Sequence, residues 1–180
     1  ITIDRSLRDG EVLPGEMEVY HVPGHCPGLI CLRIDDILLA SDHVLSRTTP
    51  NQTPQSITPF TGLENYLRSL EKITHLKDIQ VTLGGHEAPV YNRNRRIVEI
   101  GEHHRKRLAQ ILDLARDEPK TIVQLADELF GLQKGYGQML AYTEAGAHVE
   151  YLNQLGKLGI SNLEEVAQQE NPVLWFQTRE

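Results

Sequence analysis

The chain has 180 residues, of which 39% are hydrophobic and 24% charged, with a formal net charge of -7. This composition predicts a globular chain of one large domain or two small ones. The negative charge argues against a general nucleic-acid binder, which needs clustered lysine and arginine. No run approaches the roughly 20 apolar residues that cross a bilayer, and no signal-peptide pattern is present, so we expect no membrane partner. Because Cys26 and Cys31 are the only cysteines, no disulfide framework is expected, and the chemistry favours a reducing, cytoplasmic setting.

The first third of the chain predicts β-structure. Residues 16–22 alternate between apolar and polar side chains, as in a half-buried strand. Two apolar runs, 29–34 and 37–40, lie on either side of Asp35-Asp36. An Asp-rich pair between such runs predicts a tight turn, and therefore a hairpin.

A helix and a third strand follow. Thr61 and Glu64 form a capping-box pattern, and apolar residues then recur at helical spacing to about Thr74, which predicts a helix. The run 79–83 indicates a short buried strand that leads into Gly-Gly-His86. A strand, a helix and a strand in this order indicate α/β layering.

The rest of the chain is mainly helical in its pattern. A long amphipathic helix is predicted over 94–116, ended by Pro119. Thr121-Ile-Val-Gln124 then caps a short helix, which a glycine-rich joint separates from another. Apolar runs at 163–166 and 173–176 predict a two-stranded wing. We therefore expect one domain over residues 1–116 and a small winged-helix domain over 117–180.

Three residues with metal-ligand chemistry stand at predicted strand ends: His25, Asp42 and His86. Histidine and carboxylate are ligands of zinc and iron, and loops at strand ends can hold a metal with one position open. Taken singly, each has a simpler interpretation as a turn, cap or hydrogen-bonded structural residue. His104 and His148 lie on helix stripes, where packing is the simpler interpretation.

The three motifs together resemble the metallo-β-lactamase superfamily. His-Val-Pro-Gly-His25-Cys-Pro-Gly, then Ser-Asp42-His, then Leu-Gly-Gly-His86-Glu is similar to the signatures of the second half of that fold. The tail resembles the branch of the β-lactamase-like protein 2 type. The resemblance implies an α/β fold, namely the C-terminal half of an αββα sandwich followed by a winged-helix domain.

The resemblance also implies ligand roles. His25 would bind one metal, Asp42 would bridge two, and His86 would bind the second, the cofactors being two divalent ions, zinc first, with iron or manganese as alternatives. His21 has no ligand role in this pattern, and Cys26 replaces a threonine. A packing role is favoured for its thiol over zinc ligation. His43 and Arg105 are the candidate substrate-binding residues.

The motif H-x-H-x-D-H, which supplies most ligands in the resembled family, is absent from this sequence. The expectation is therefore that the chain is the C-terminal part of a longer hydrolase and has little activity alone. It would need the missing N-terminal half of the same domain, or a second copy of itself in a homo-oligomer, as a partner.

The function implied is hydrolysis of an ester, thioester or phosphodiester by a metal-bound hydroxide, with Asp42 orienting the water. The expected substrate is a small molecule or RNA. The alternative is a non-catalytic winged-helix nucleic-acid or interaction module on a degenerate scaffold. Residues 118–180 carry four basic and nine acidic side chains, a balance of -5, so duplex DNA is not expected to bind there. A basic run at 93–107 suits a phosphate-bearing substrate or, more simply, a solvated helix face.

Overall fold

A computed structural model describes residues 3–179. The chain divides into two compact units: the first runs through Pro50 and resumes at Pro59–Gly101, and the second contains Asn51–Thr58 together with the residues from Glu102 onward. The domain boundary after residue 116 stays a prediction. Among the described residues, no helix is both long and apolar enough to cross a membrane.

The first unit is built on a five-stranded sheet in the order β1-β2-β3-β4-β5. Its strands are β1 (Val12–Leu13), β2 (Met17–His21), β3 (Ile30–Ile34), β4 (Ile37–Ser41) and β5 (Val81–Gly84). Neighbouring strands are antiparallel except β4 and β5, which are parallel. The connection from β4 to β5 contains helix α1 (Leu63–Thr74). The predicted α/β layering is present.

The predicted hairpin is confirmed. Ile34 pairs with Ile37 across the two-residue turn, and Asp35 takes a positive φ of 52°, which aspartate tolerates better than most residues. The alternation of this sheet separates two faces. One face carries the fully buried Cys31, Leu38 and Ala40.

Helix α1 has the predicted length, but the predicted capping box is wrong. Its N-cap is Gly62, with φ 97° and no side-chain cap, and the Gly62 N–H donates to the carbonyl of Gly24 at 3.1 Å. Tertiary pairing with the Gly24 loop therefore replaces the local pattern of Thr61 and Glu64.

Helix α2 (Arg93–Leu114) contributes residues to both units. In the second unit it is followed by α3 (Ile122–Phe130) and α4 (Tyr136–Gln154). The capping box predicted at the start of α3 is confirmed: Thr121 Oγ1 accepts from the Gln124 N–H, and the Gln124 side chain accepts from the Thr121 N–H. A core forms around Ile111, Leu125, Val149, Leu152, Leu158 and Phe176.

The predicted wing strands are wrong in position. Strand β6 (Leu158–Ile160) pairs antiparallel with β7 (Phe176–Thr178), and residues Leu163–Val166 form the short helix α5 instead. Short apolar runs do not distinguish a strand from one helical turn. Asn162 Nδ2 donates to the Val173 carbonyl and its Oδ1 accepts from the Trp175 N–H, which closes the loop between the two strands.

Candidate metal centre

The three candidate ligands lie on loops that leave the sheet of the first unit. His25 follows β2, Asp42 follows β4, and His86 follows β5. Asp42 and His86 are brought together: Asp42 Oδ1 lies 3.7 Å from His86 Nε2, with 37% and 57% of the two side chains exposed.

His25 is half-buried, and two pKa shifts relate its loop to the Asp42 loop. Burial lowers the pKa of His43, and the charge of His25 lowers it further. Burial raises the pKa of the Cys26 thiol, and the charge of Asp42 adds to that rise. Tyr66 contacts both loops, because a Cβ added at Gly24 would lie 2.5 Å from its Cα and its Oη donates to the His43 carbonyl at 3.0 Å, so the His25 loop and the Asp42 loop are neighbours.

Glycine at 85 is required by the approach of Asp42. A Cβ added there would collide with Oδ1 of Asp42, and the Gly85 N–H donates to the Ser41 carbonyl at 2.8 Å. Ser41 itself has a positive φ of 49°, an uncommon conformation for a residue with a Cβ. The chain is therefore shaped so that the carboxylate of Asp42 reaches His86.

The His25 loop is held against helix α1. Gly24 is buried with φ 140°, and a Cβ there would lie 2.5 Å from the Cα of Tyr66. Ser69 Oγ donates to the Pro23 carbonyl at 2.7 Å. His21 Nε2 lies 2.8 Å from the carbonyl of Pro27, so this histidine stabilises the loop from its strand position.

His43 is fully buried next to the half-buried Asp42. Its ring packs edge-on against Tyr66 with centroids 5.3 Å apart, and Tyr66 Oη donates to the His43 carbonyl at 3.0 Å. Burial lowers the pKa of His43 to about 4. This position suits a residue that supports the Asp42 turn better than one that contacts substrate.

Arg105 is exposed on α2, whereas half of the basic side chains in the run 93–107 serve the fold. Arg93 donates to the Leu76 carbonyl, Arg96 to the carbonyls of residues 45, 47 and 48, and Arg107 pairs with Glu144. Arg95, Arg105 and Lys106 remain at the surface. The sequence could not separate these two classes of arginine.

A second group of ligand-type residues occurs in the second unit. Within residues 3–179, His104, Glu144 and His148 are the one group of three or more whose ligand atoms all lie within 4.8 Å of one another. These residue types are consistent with divalent metal binding. Sequence reasoning assigned both histidines to packing and missed the carboxylate between them.

The three buried residues form hydrogen bonds with one another and with Arg107 and Gln52. His148 Nδ1 lies 2.7 Å from the Glu144 carbonyl, which can only accept, so Nδ1 carries the proton and Nε2 accepts from His104 Nδ1 at 3.0 Å. The Glu144 carboxylate pairs with Arg107 and accepts the Gln52 N–H at 2.6 Å. Burial lowers the pKa of both histidines, which keeps the pair neutral.

Comparisons with known proteins identify the fold. Family models and curated sequences yield no match. Among solved structures, a metallo-β-lactamase family protein from Thermus thermophilus is 29% identical over 96% of this chain and 54% of its own, with a TM-score of 0.77. A β-lactamase domain protein from Burkholderia ambifaria is 23% identical over 97% of this chain and 52% of its own, with a TM-score of 0.84. This chain thus spans about half the length of each, and it shares its fold with metallo-β-lactamase family proteins.

Proposed function

We propose that this chain is part of a metal-dependent hydrolase of the metallo-β-lactamase type, with His25, Asp42 and His86 as metal ligands. The proposal depends on one observation: the side chains of Asp42 and His86 are both accessible, and Asp42 Oδ1 lies 3.7 Å from His86 Nε2. Gly85 lies beside Asp42 and leaves room for its carboxylate. A histidine and a carboxylate in this arrangement are a fitting donor set for zinc, with iron or manganese as alternatives.

His25, Asp42 and His86 would hold divalent ions, whose chemistry when bound would be to supply a water with its pKa lowered from 15.7 to about 7 for attack on an ester, thioester or phosphodiester. Asp42 would take the part of the bridging carboxylate, because its loop neighbours the loops of both histidines. Its carboxylate would accept a hydrogen bond from the attacking water and so orient it. His43 supports the turn that presents Asp42, and its neutral ring adds no charge to the site.

The ligands in this chain fall short of a complete site. A catalytic zinc has three protein ligands and an open position, whereas each of two metals here would have one histidine and a share of Asp42. The complete protein would therefore obtain further ligands from a segment outside this chain, and this chain alone would show little turnover.

The sheet supports the same conclusion. The face opposite the buried Cys31 and Leu38 is apolar, and apart from Val19 its members are only half-buried: Met17, Ile30, Leu32, Ile34, Ile37, Leu39, Val81 and Leu83. An apolar face of this extent is expected to be covered by another layer. The missing half of the same domain is the proposed cover, and a second copy of the chain is the alternative.

In the second unit, α3, α4 and the pair β6-β7 are the basis for proposing a winged-helix domain. Its acidic balance argues against duplex DNA, so we propose an accessory role. The substrate is a small molecule or RNA, in a cytoplasmic setting.

Zinc titration with and without His86 tests the proposal. The chain is expected to bind zinc weakly, and His86→Ala should weaken that binding at least tenfold, since removing one of few ligands removes much of the site. His75→Ala, at an exposed histidine away from the three loops, is the control. Equal zinc binding by wild type and His86→Ala would reject the site. Full turnover of thioester, phosphodiester and RNA substrates by this chain alone would reject the need for further ligands.

A further inference from the structure

The carboxylate of Glu87 accepts hydrogen bonds from the loop of residues 45–48. This loop begins three residues after Asp42. Glu87 Oε2 accepts from the Arg47 N–H at 2.7 Å and from Ser46 Oγ at 3.2 Å. Its Oε1 accepts from the Thr48 N–H at 3.2 Å and from the Thr48 hydroxyl. Hydrogen bonds to a charged acceptor are the stronger kind, and this carboxylate accepts four.

The carbonyl groups of the same loop are bound by one guanidinium. Arg96 Nε donates to the Leu45 carbonyl at 2.7 Å, and Nη2 donates to the Arg47 and Thr48 carbonyls at 2.9 and 3.0 Å. Its side chain is 12% exposed. The Glu87 carboxylate thus binds N–H groups of this short segment, and the Arg96 guanidinium binds its carbonyl groups. A planar guanidinium with several N–H donors can bind more than one carbonyl at once.

These contacts join the two loops that carry Asp42 and His86. Glu87 directly follows His86, and the Gly85 N–H donates to the Ser41 carbonyl at 2.8 Å. Any separation of residues 45–48 from Glu87 would therefore act on both sides of the Asp42–His86 pair. Loops otherwise carry more motion than the strands they follow.

The backbone conformation at Glu87 is unfavourable for a glutamate. Its φ is 73°, a left-handed conformation that glycine adopts without steric cost and glutamate does not. Such strain persists where surrounding contacts over-determine it, and it is concentrated at functional sites. At Glu87, this conformation is held by the four hydrogen bonds that its own carboxylate accepts.

We propose that Glu87 and Arg96 are positioning residues that set the separation of Asp42 and His86. This role rests on the proposed function, because it assigns a purpose to the spacing of two proposed ligands. Neither residue needs to touch the substrate. Their action is to hold the 45–48 loop, and through it the Asp42 turn, against the His86 loop.

Amide hydrogen exchange tests the clamp without any metal. In Glu87→Ala, the Arg47 and Thr48 amides should exchange at least tenfold faster, because they lose their acceptor. The Gly85 amide should also exchange several-fold faster if the two ligand loops separate. Glu87→Gln keeps an acceptor oxygen and should restore part of the protection. Arg96→Ala should speed exchange at Gly85 as well.

Two variants serve as matched controls. Glu64→Ala removes an exposed glutamate that pairs with its helical neighbour Arg68, and Arg95→Ala removes an exposed arginine beside Arg96. Both should leave Gly85 exchange unchanged. If Arg96→Ala does not fold, the Glu87 pair of variants still decides. Faster exchange at Arg47 and Thr48 with unchanged exchange at Gly85 would overturn the proposal, since the clamp would then hold only its own loop.

Zinc titration connects the clamp to the proposed function. We expect Glu87→Ala to weaken zinc binding about tenfold, the lower end of the loss seen when residues supporting metal ligands are removed. If His86→Ala leaves zinc binding unchanged, the metal function fails while the Gly85 result still decides the clamp. If His86→Ala weakens zinc binding and Glu87→Ala does not, the function stands and the positioning role is wrong.

Discussion

Each of the two units contains a cluster of histidine and carboxylate, and the clusters differ in their surroundings. In the first unit, Asp42 and His86 are 37% and 57% exposed and stand on a backbone shaped by glycine. In the second unit, Glu144 and His148 are 7% and 0% exposed, and Arg107 pairs with the carboxylate. The second cluster brings three ligand-type residues together, yet the first is more available to an ion.

The difference shows that proximity alone does not define a metal centre. A carboxylate that already neutralises a buried guanidinium can bind a cation only by leaving that guanidinium unpaired, which is costly in a buried setting. The exposed Asp42 has no such cost. We therefore expect the first cluster to serve binding and the second to serve stability.

Acid should have the largest effect, through the buried histidines. Burial lowers the pKa of His43 to about 4 and lowers the pKa of His104 and His148 as well. The unfolded chain takes up these protons below about pH 6.5 while the folded chain does not. Stability is therefore complete above pH 6.5 and falls as the pH drops toward the folded pKa, by up to about 1.4 kcal/mol per pH unit for each histidine.

Urea unfolding at pH 7.5 and pH 5.5 measures this loss. His43→Gln should reduce the pH dependence of the first unit, whereas His75→Gln, at an exposed histidine, should leave it unchanged. Equal pH dependence in these two variants would contradict the assignment of His43 as a buried neutral group.

Breaking the second cluster should have the next largest effect. Glu144→Ala leaves Arg107, which is 17% exposed, without its carboxylate and the Gln52 N–H without this acceptor. Removing one partner of a buried ion pair costs about 3–5 kcal/mol. We expect a loss of that order in urea unfolding of the second unit.

A glutamate at the surface of the same unit is the control for that loss. Glu128→Ala removes the partner of Lys120, and the Glu128 side chain is 39% exposed. Exposed pairs contribute about 0–1 kcal/mol, so this change should be small. A zinc-dependent gain in wild-type stability that Glu144→Ala abolishes would instead make the second cluster a metal site.

The regular elements could be predicted because their signals are local. Alternation indicated β2, the Asp35-Asp36 turn indicated the hairpin, and Thr121 with Gln124 indicated the start of α3. Tertiary contacts overrode the local pattern at Thr61, where pairing with Gly24 moved the N-cap to Gly62.

The candidate site was predictable only in part, for the same reason. The pattern around Asp42 and His86 is local, and the structure places these two residues together. The contacts of Glu87 lie about 40 residues away in sequence, and those of Glu144 with Gln52 lie 92 residues away. A local sequence pattern does not reveal a carboxylate that accepts hydrogen bonds from backbone groups so far away in the sequence.

A methyl group at Gly85 should have an intermediate effect, confined to the first cluster. Gly85→Ala would collide with Oδ1 of Asp42, so the carboxylate must move away from His86. We expect zinc binding to weaken about tenfold, equivalent to about 1.4 kcal/mol. Gly101→Ala is the control, because a Cβ there meets nothing within 4 Å and alanine is favoured in a helix. Unchanged zinc binding in Gly85→Ala would remove the steric argument for the site.

The smallest effect is expected at Arg105. This residue is exposed on α2, and surface substitutions usually change stability by no more than about 0.5 kcal/mol. Arg105→Ala should therefore leave urea unfolding unchanged. The variant is informative in a measurement of RNA binding. If Arg105 contacts a phosphate of single-stranded RNA, its removal should reduce the slope of log affinity against log salt by about 0.7. Arg95→Ala, at an exposed arginine earlier on the same helix, provides the comparison, and an equal change in both variants would indicate diffuse attraction and no substrate contact specific to Arg105.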